Sequence, residues 1–359
     1  MTSSLERVVS DHYGVDEYAV TRRQSDIWAD SQPLAGVRIL DCTPLFRNTL
    51  AKFIPLVAAG AELTVGVHPD IPSDPAIVSL IPHLGLELYA DPVVGTDRES
   101  ATHDSFDVVM DCAGRHRHVA STFGYIELTH SGLAEYQTCA QPVITVDHSP
   151  IKLMETMFGT GESFLRALAQ LGHQPSGGPV VVFGGGKVGS GIAYGALQSG
   201  LDAIIIDDPA TAANYAGARV VDRRDRDAVS SAIARAWTIV TATGVANAAA
   251  PYARQIAASS AIVANMGVDD EFGSEVPNER VLNDKRPVNF ILEEPTLMRY
   301  MDPIFALSNN SALSLIRGES PAGVHPPTAD AQQSVASVMR DTRNYTNELN
   351  LIANLTTSA

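Results

Sequence analysis

Along the chain, short β-rich apolar runs alternate with longer stretches of helical spacing. After a polar-rich helical stretch over the first 30 residues, VRILDC and AELTVGV read as buried strands around the helical LFRNTLAKFIPLVAAG. LELYA and FDVVMDCAG continue this rhythm and PVITVD closes it. Strands alternating with helices predict a parallel sheet covered on both faces. IKLMETMFGTGESFLRALAQLG then has helical spacing with no strand, and predicts one long helix bridging two domains. From Pro179 a second series begins, with VVVFG, AIIID, ARVVD, TIVTATG and AIVANMG as its strands. From about Tyr300 the chain is helical again, through IFALSNNSALSLIRG and TADAQQSVASVMRDTRNYTNELNLIANL. The first of these is expected to return to the N-terminal domain and make it discontinuous.

Bulk properties narrow the class. At 359 residues and 45% hydrophobic content the chain can bury two cores. No apolar run is long enough to span a bilayer, and MTSSLERVVSDHYG has no signal-peptide h-region, so a cytoplasmic protein without a membrane partner is expected. Cys42, Cys112 and Cys139 form neither a disulfide framework nor a metal-ligand spacing, and no metal is expected. A formal net charge of −16 disfavours nucleic acid.

The sharpest motif is VVFGGGKVGSGIA, Val181 to Ala193. Its spacing, Gly184-x-Gly186-x-x-Gly189, is that of a dinucleotide fingerprint. Gly184 permits a tight turn, Gly186 lets backbone N–H groups approach a pyrophosphate, and Gly189 lets the helix pack on its strand. Lys187 and Val188 lie inside the same turn. A strand precedes it, and Asp207 ends the next strand 23 positions after Gly184. A carboxylate there accepts from a ribose diol and repels a 2′-phosphate, which points to NAD. The expected fold is therefore α/β, two Rossmann-like, doubly wound parallel-sheet domains with a cleft between them. Residues 1–160, with a return segment at about 302–345, would bind substrate. Residues 161–301 would bind NAD, and 346–359 would form a C-terminal tail.

In order and wording these segments resemble the S-adenosylhomocysteine hydrolase family along nearly the whole chain. PLAGVRILDC resembles that family's opening strand, PVITVDHSPIKLMETMFGTGES its lysine-bearing bridging segment, and GGGKVGSG with IIIDD its nucleotide loop and ribose-binding strand end. TATG, ANMG and LSNNSALSLI resemble its nicotinamide-side loops and hinge-proximal helix. The resemblance implies a tightly held NAD that oxidises a ribose hydroxyl, lets homocysteine leave, and is restored in the same cycle. It nominates Lys152 as the catalytic lysine and Glu155 as the acid that holds sugar hydroxyls, on one helix face at i, i+3. It adds Thr243, Gly244, Asn265, Gly267 and Asn309 to the cofactor contacts.

Other positions depart from the family pattern. Pro44 stands where the family has a histidine, Cys112 in place of an aspartate, Leu128 in place of the working glutamate, Val268 in place of a second histidine and Thr160 in place of a cysteine. The chain ends NLTTSA, without the family's lysine–tyrosine tail. The cofactor half is kept while the elimination half is rewritten. Asp111 and His148 are the remaining catalytic candidates, and Glu127, Thr129, Arg47 and Asp147 the substrate-binding ones. Arg115 to His118, RHRH, reads as a solvated patch, and Cys112 as a small apolar filler. The expected activity is NAD-dependent hydride transfer with a small polar alcohol or amine, in a homodimer or homotetramer of secondary metabolism. The alternatives are a functional adenosylhomocysteinase with a changed acid–base set, or a regulatory protein that binds NAD or a nucleoside.

Overall fold

The computed structural model describes residues 2–90, 105–212, 217–342 and 344–357; Ser358 and Ala359 of the expected tail lie outside them. The strands are β1 (Arg38–Asp41), β2 (Glu62–Val67), β3 (Glu87–Ala90), β4 (Ser105–Asp111), β5 (Ala120–Glu127) and β6 (Pro142–Thr145). They continue with β7 (Val180–Phe183), β8 (Ala203–Asp207), β9 (Arg219–Asp222), β10 (Thr238–Thr241), β11 (Ile262–Asn265), β12 (Leu282–Pro287) and β13 (Gly323–His325). Two compact units result, Met1–Lys152 with Met298–Ala359, and Leu153–Leu297.

The first unit has the sheet order β13-β6-β5-β4-β1-β2-β3, and the second β12-β11-β10-β7-β8-β9. The pairings within both sheets are parallel. Both sheets are therefore of the doubly wound α/β class, with their reversals at β1/β4 and at β7/β10. In the second unit Val180, Val182, Ile205, Val240 and Ala264 face one core, and Val181, Ile204, Ile206, Ile239 and Val263 face the other. Burial on both faces is why these strands read as unbroken apolar runs.

Some expectations need correction. The bridging stretch is not one α-helix. It is a 3₁₀ turn at Pro150–Lys152, a π-helix at Met154–Gly159 and an α-helix only from Thr160 to Gln170. The widened π turn lays Met157 O against the helix Lys187–Gln198 at Gly191. The i, i+3 spacing of Lys152 and Glu155 thus spans a change of helix type, and the same-face argument does not apply. The division between units falls there too, at Lys152/Leu153, ahead of residue 160. Strands β5, β12 and β13 escaped the apolar pattern. The outer half of β5 is largely exposed and carries Gly124 at φ +132°, while Asn283, Asp284 and Lys285 in β12 all have positive φ.

In the first unit the helix Met298–Ile316 carries Asp302, fully enclosed. Its carboxylate accepts from Val20 N (2.7 Å), Thr21 N (2.9 Å) and Thr21 Oγ1 (2.7 Å). It thereby caps the helix Ala19–Ser31, whose own N-cap Tyr18 makes no side-chain cap bond. Burial outweighs these donors and pushes the Asp302 carboxyl up to about 6. A carboxyl raised on folding binds its proton more tightly in the folded chain. Its stabilising contribution is whole below about pH 4 and is lost as pH rises through about 6. Between those limits the wild type is expected to lose about 3 kcal/mol relative to Asp302→Asn. Urea unfolding of both proteins at pH 4, 5, 6 and 7 checks this, and parallel stability curves would rule it out.

Candidate functional site

The carboxyl edge of the first sheet begins with a topological constraint. Parallel neighbours β4 and β5 are joined by only the eight residues Cys112–Val119, fewer than a helical crossover needs. With no helix to occupy them, the N–H groups of this link need other acceptors. Asp111 accepts from Cys112 N (2.7 Å) and His116 N (3.0 Å), and Glu127 from Ala113 N and Gly114 N (both 3.0 Å). Asp111 also receives Tyr136 Oη at 2.6 Å and His116 Nδ1 at 3.2 Å. Glu127 also receives Thr129 N (2.7 Å) and Thr129 Oγ1 (2.6 Å). The two acids are paired in register on β4 and β5, both buried. Burial, and then the Asp111 charge, push the Glu127 carboxyl up to about 7. Burial and Asp111 also raise the Tyr136 phenol.

Lys152 is buried and donates to Leu128 O at 2.9 Å, beside Glu127 and Thr129. The structure thus brings together Lys152, Glu127, Thr129 and Asp111. It leaves His148 outside them, with an exposed side chain. Asp147 is buried and lies 3.4 Å from the exposed His130. Arg47 is partly buried on the loop between β1 and the helix Thr49–Ala58. Asn309 is buried in the first unit, its amide donating to Gln24 Oε1 and Lys52 O at 3.0 Å each. Cys112 is buried, and Glu155 is half-buried in the second unit. The RHRH stretch is not uniformly solvated. Arg115, Arg117 and His118 are exposed, but His116 is buried against Asp111.

In the second unit the glycine turn adopts the geometry its spacing implies. Gly184 has φ +103°, and a Cβ there would lie 2.5 Å from Ala242 O on the neighbouring loop. A Cβ on Gly189 would fall on Gly184 O, so the helix Lys187–Gln198 packs tightly on its strand, with Val188 partly buried against that core. A Cβ on Gly186 would meet nothing within 4 Å, which leaves open space above the turn. Asp207 accepts from Gly185 N at 2.5 Å at the rim of that space. Asn289, nine-tenths buried just past β12, has no hydrogen-bond partner for Oδ1. An open glycine turn with an adjacent carboxylate fits a pyrophosphate and a ribose diol.

Sequence reasoning missed Asn289 and also Glu271. The Glu271 carboxylate is buried and raised by burial, and it binds Thr243 N (2.8 Å), Thr243 Oγ1 (2.8 Å) and Gly244 N (2.7 Å). Thr243 and Gly244 are therefore held in place from within. Asn265 is similarly committed, donating to Gly267 O, Asp269 O and Lys285 O. Glu271 ends a run of three acids, and nothing in that run says which one turns inward. Among the described residues no His/Cys/Asp/Glu cluster could hold a metal ion, and no helix is long and apolar enough to cross a membrane.

No protein-family model matches the chain. It is 27% identical over 265 residues to an adenosylhomocysteinase of Thermococcus kodakarensis, a match covering 66% of this chain and 61% of that protein. A match to the adenosylhomocysteinase of Thermosynechococcus vestitus, 24% identical, covers 89% of this chain and 85% of that one. An S-inosyl-L-homocysteine hydrolase of Methanothermobacter thermautotrophicus is 28% identical over 264 residues, 66% of this chain and 60% of its own. Among solved structures, that of a D-lactate dehydrogenase from Escherichia coli superposes with TM-score 0.46 at 12% identity, over 78% of this chain and 97% of that one. The protein is thus a two-unit parallel α/β chain with a nucleotide-type glycine turn. Its sequence similarities support membership of the adenosylhomocysteinase-like family, as a divergent member.

Proposed function

We propose that the protein is an NAD-dependent oxidoreductase that moves hydride between a small polar alcohol or amine and the nicotinamide, and that it does not hydrolyse S-adenosylhomocysteine. One contrast supports this reading. The second unit keeps an open glycine turn beside Asp207, whereas the first has Pro44, Cys112 and Leu128 at its strand ends and spends Asp111 and Glu127 on its own backbone. When bound, NAD supplies a hydride acceptor. Backbone N–H groups at the start of the helix from Lys187 would face the pyrophosphate, and Asp207 would accept from the ribose diol. As the substrate C–H leaves as hydride, Lys152 would take the proton of its hydroxyl or amine. A homodimer or homotetramer in the cytoplasm is the setting proposed for it.

Incubation with NAD and S-adenosylhomocysteine, following free thiol and reduced nicotinamide, tests the proposal. No thiol release is expected. Amino alcohols, amino acids and sugars screened next should include a substrate that reduces the nicotinamide. With that substrate, Lys152→Ala is expected to lower turnover about hundredfold while NAD affinity stays unchanged. Thiol release without net reduction would mean that the family's hydrolase cycle survives. A Lys152→Ala variant with full turnover would remove the lysine from the mechanism.

A further inference from the structure

We infer that Glu127 is a positioning residue whose charge state sets the Cys112–His116 link and, through Leu128, the seat of Lys152. This rests on the reading above, in which Lys152 is the base. Three placements carry it.

The first is the bonding of the carboxylate. As an anion it can only accept, and it accepts from four donors on Ala113, Gly114 and Thr129. Three of these converge on Oε1, and Gly114 N alone reaches Oε2 at 3.0 Å. Taking up one proton from solvent turns an oxygen into a donor, and the Gly114 bond is the one most directly lost. The space around the carboxylate is tight: a Cβ on Gly132 would lie only 2.6 Å from Oε1, so that backbone closes directly over it.

The second placement is what faces it. Asp111 sits opposite in register, and its own carboxylate is held by His116 and Tyr136. Glu135 approaches Gly114, where a Cβ would meet its side chain at 2.6 Å. Of these, Asp111 is the acid that borders Glu127 in register, and like charges favour one proton on the pair. The third placement is the route outward. Leu128, the next residue, donates its N–H to Asp111 O at 3.0 Å and accepts Lys152 Nζ at its carbonyl. A shift of Glu127 moves the carbonyl on which Lys152 rests.

Amide exchange in the isotope-labelled full chain tests the proposal without any nicotinamide or substrate. Corrected for intrinsic rates, protection of Ala113 and Gly114 is expected to rise about tenfold from pH 6 to pH 8, as the charge-assisted bonds form. The Lys152 Cε resonance should move with the same midpoint, and both responses should vanish in Glu127→Gln. Flat protection overturns the proposal. So does a transition that persists in Glu127→Gln, which would belong to a different group. If that variant does not fold, the Glu127 carboxyl carbon in the wild type must titrate with the loop, and a different midpoint overturns the proposal equally. A loop that titrates in a protein without hydride transfer would sink only the proposed function.

Discussion

Lys52→Met is expected to destabilise the first unit by about 3–5 kcal/mol. Lys52 Nζ lies 2.6 Å from Asp41 Oδ2, with side-chain exposures of 1% and 0%. The same ammonium donates to Thr43 Oγ1 at 2.7 Å, and Asp41 Oδ1 accepts from Thr43 N at 2.9 Å. The two charges repay their desolvation only by holding each other and the start of the loop that carries Arg47. Removing the lysine leaves an ionised carboxylate in a closed space beside Cys42, whose thiol burial, Asp111 and Asp41 already raise. The cost is that of an uncompensated buried charge, not of a lost contact. Asp41→Asn with Lys52→Met should recover most of the loss, because the burial penalty disappears with the charge. Guanidinium unfolding of the wild type, both single variants and the double variant yields the coupling energy. A double variant as unstable as the sum of the singles would show that the pair is not what stabilises this edge.

The same residues show how far the sequence could be read. Apolar runs such as VVVF and AIIID, buried on both faces, made β7 to β11 of the second sheet legible, and glycine spacing located its turn. The strands that failed to register are those whose pairing is dictated from elsewhere. β12 is polar and backbone-strained, and its place beside β11 comes from Asn265 and Arg280 reaching carbonyls of neighbouring segments. At the candidate site, Asp111 and Glu127 could be nominated by type and place. Their work on the Cys112–His116 link could not, because it follows from a crossover length that is visible only once β5 is known to run parallel to β4. Resemblance brought Lys152 and Glu155 forward together, yet the chain changes helix type between them. Buried polar atoms without partners, such as Asn289 Oδ1, leave no trace in a sequence at all.

Gly191→Ala sets two effects against each other. On intrinsic propensity alone, an alanine inside the helix Lys187–Gln198 should stabilise it by about 1 kcal/mol. Packing points the other way. A Cβ on Gly191 would fall on Met157 O, and one on Gly161 would fall on Gly191 O. The obstacles are backbone carbonyls of the π turn and of the facing helix, so no flexible side chain can yield. Overpacking a well-filled interior costs about 1–3 kcal/mol even where side chains can move. Here the two segments must separate along their length, and a net loss of about 3 kcal/mol or more is expected. Gly195→Ala is the control, because its Cβ would stand 3.0 Å from Gly161 O, at the edge of tolerance. There the propensity gain and the packing cost should nearly cancel. Thermal and denaturant unfolding of both variants distinguishes the cases. If Gly191→Ala proved as stable as Gly195→Ala, the close crossing of these backbones would not be what joins the π turn to the nucleotide-side helix.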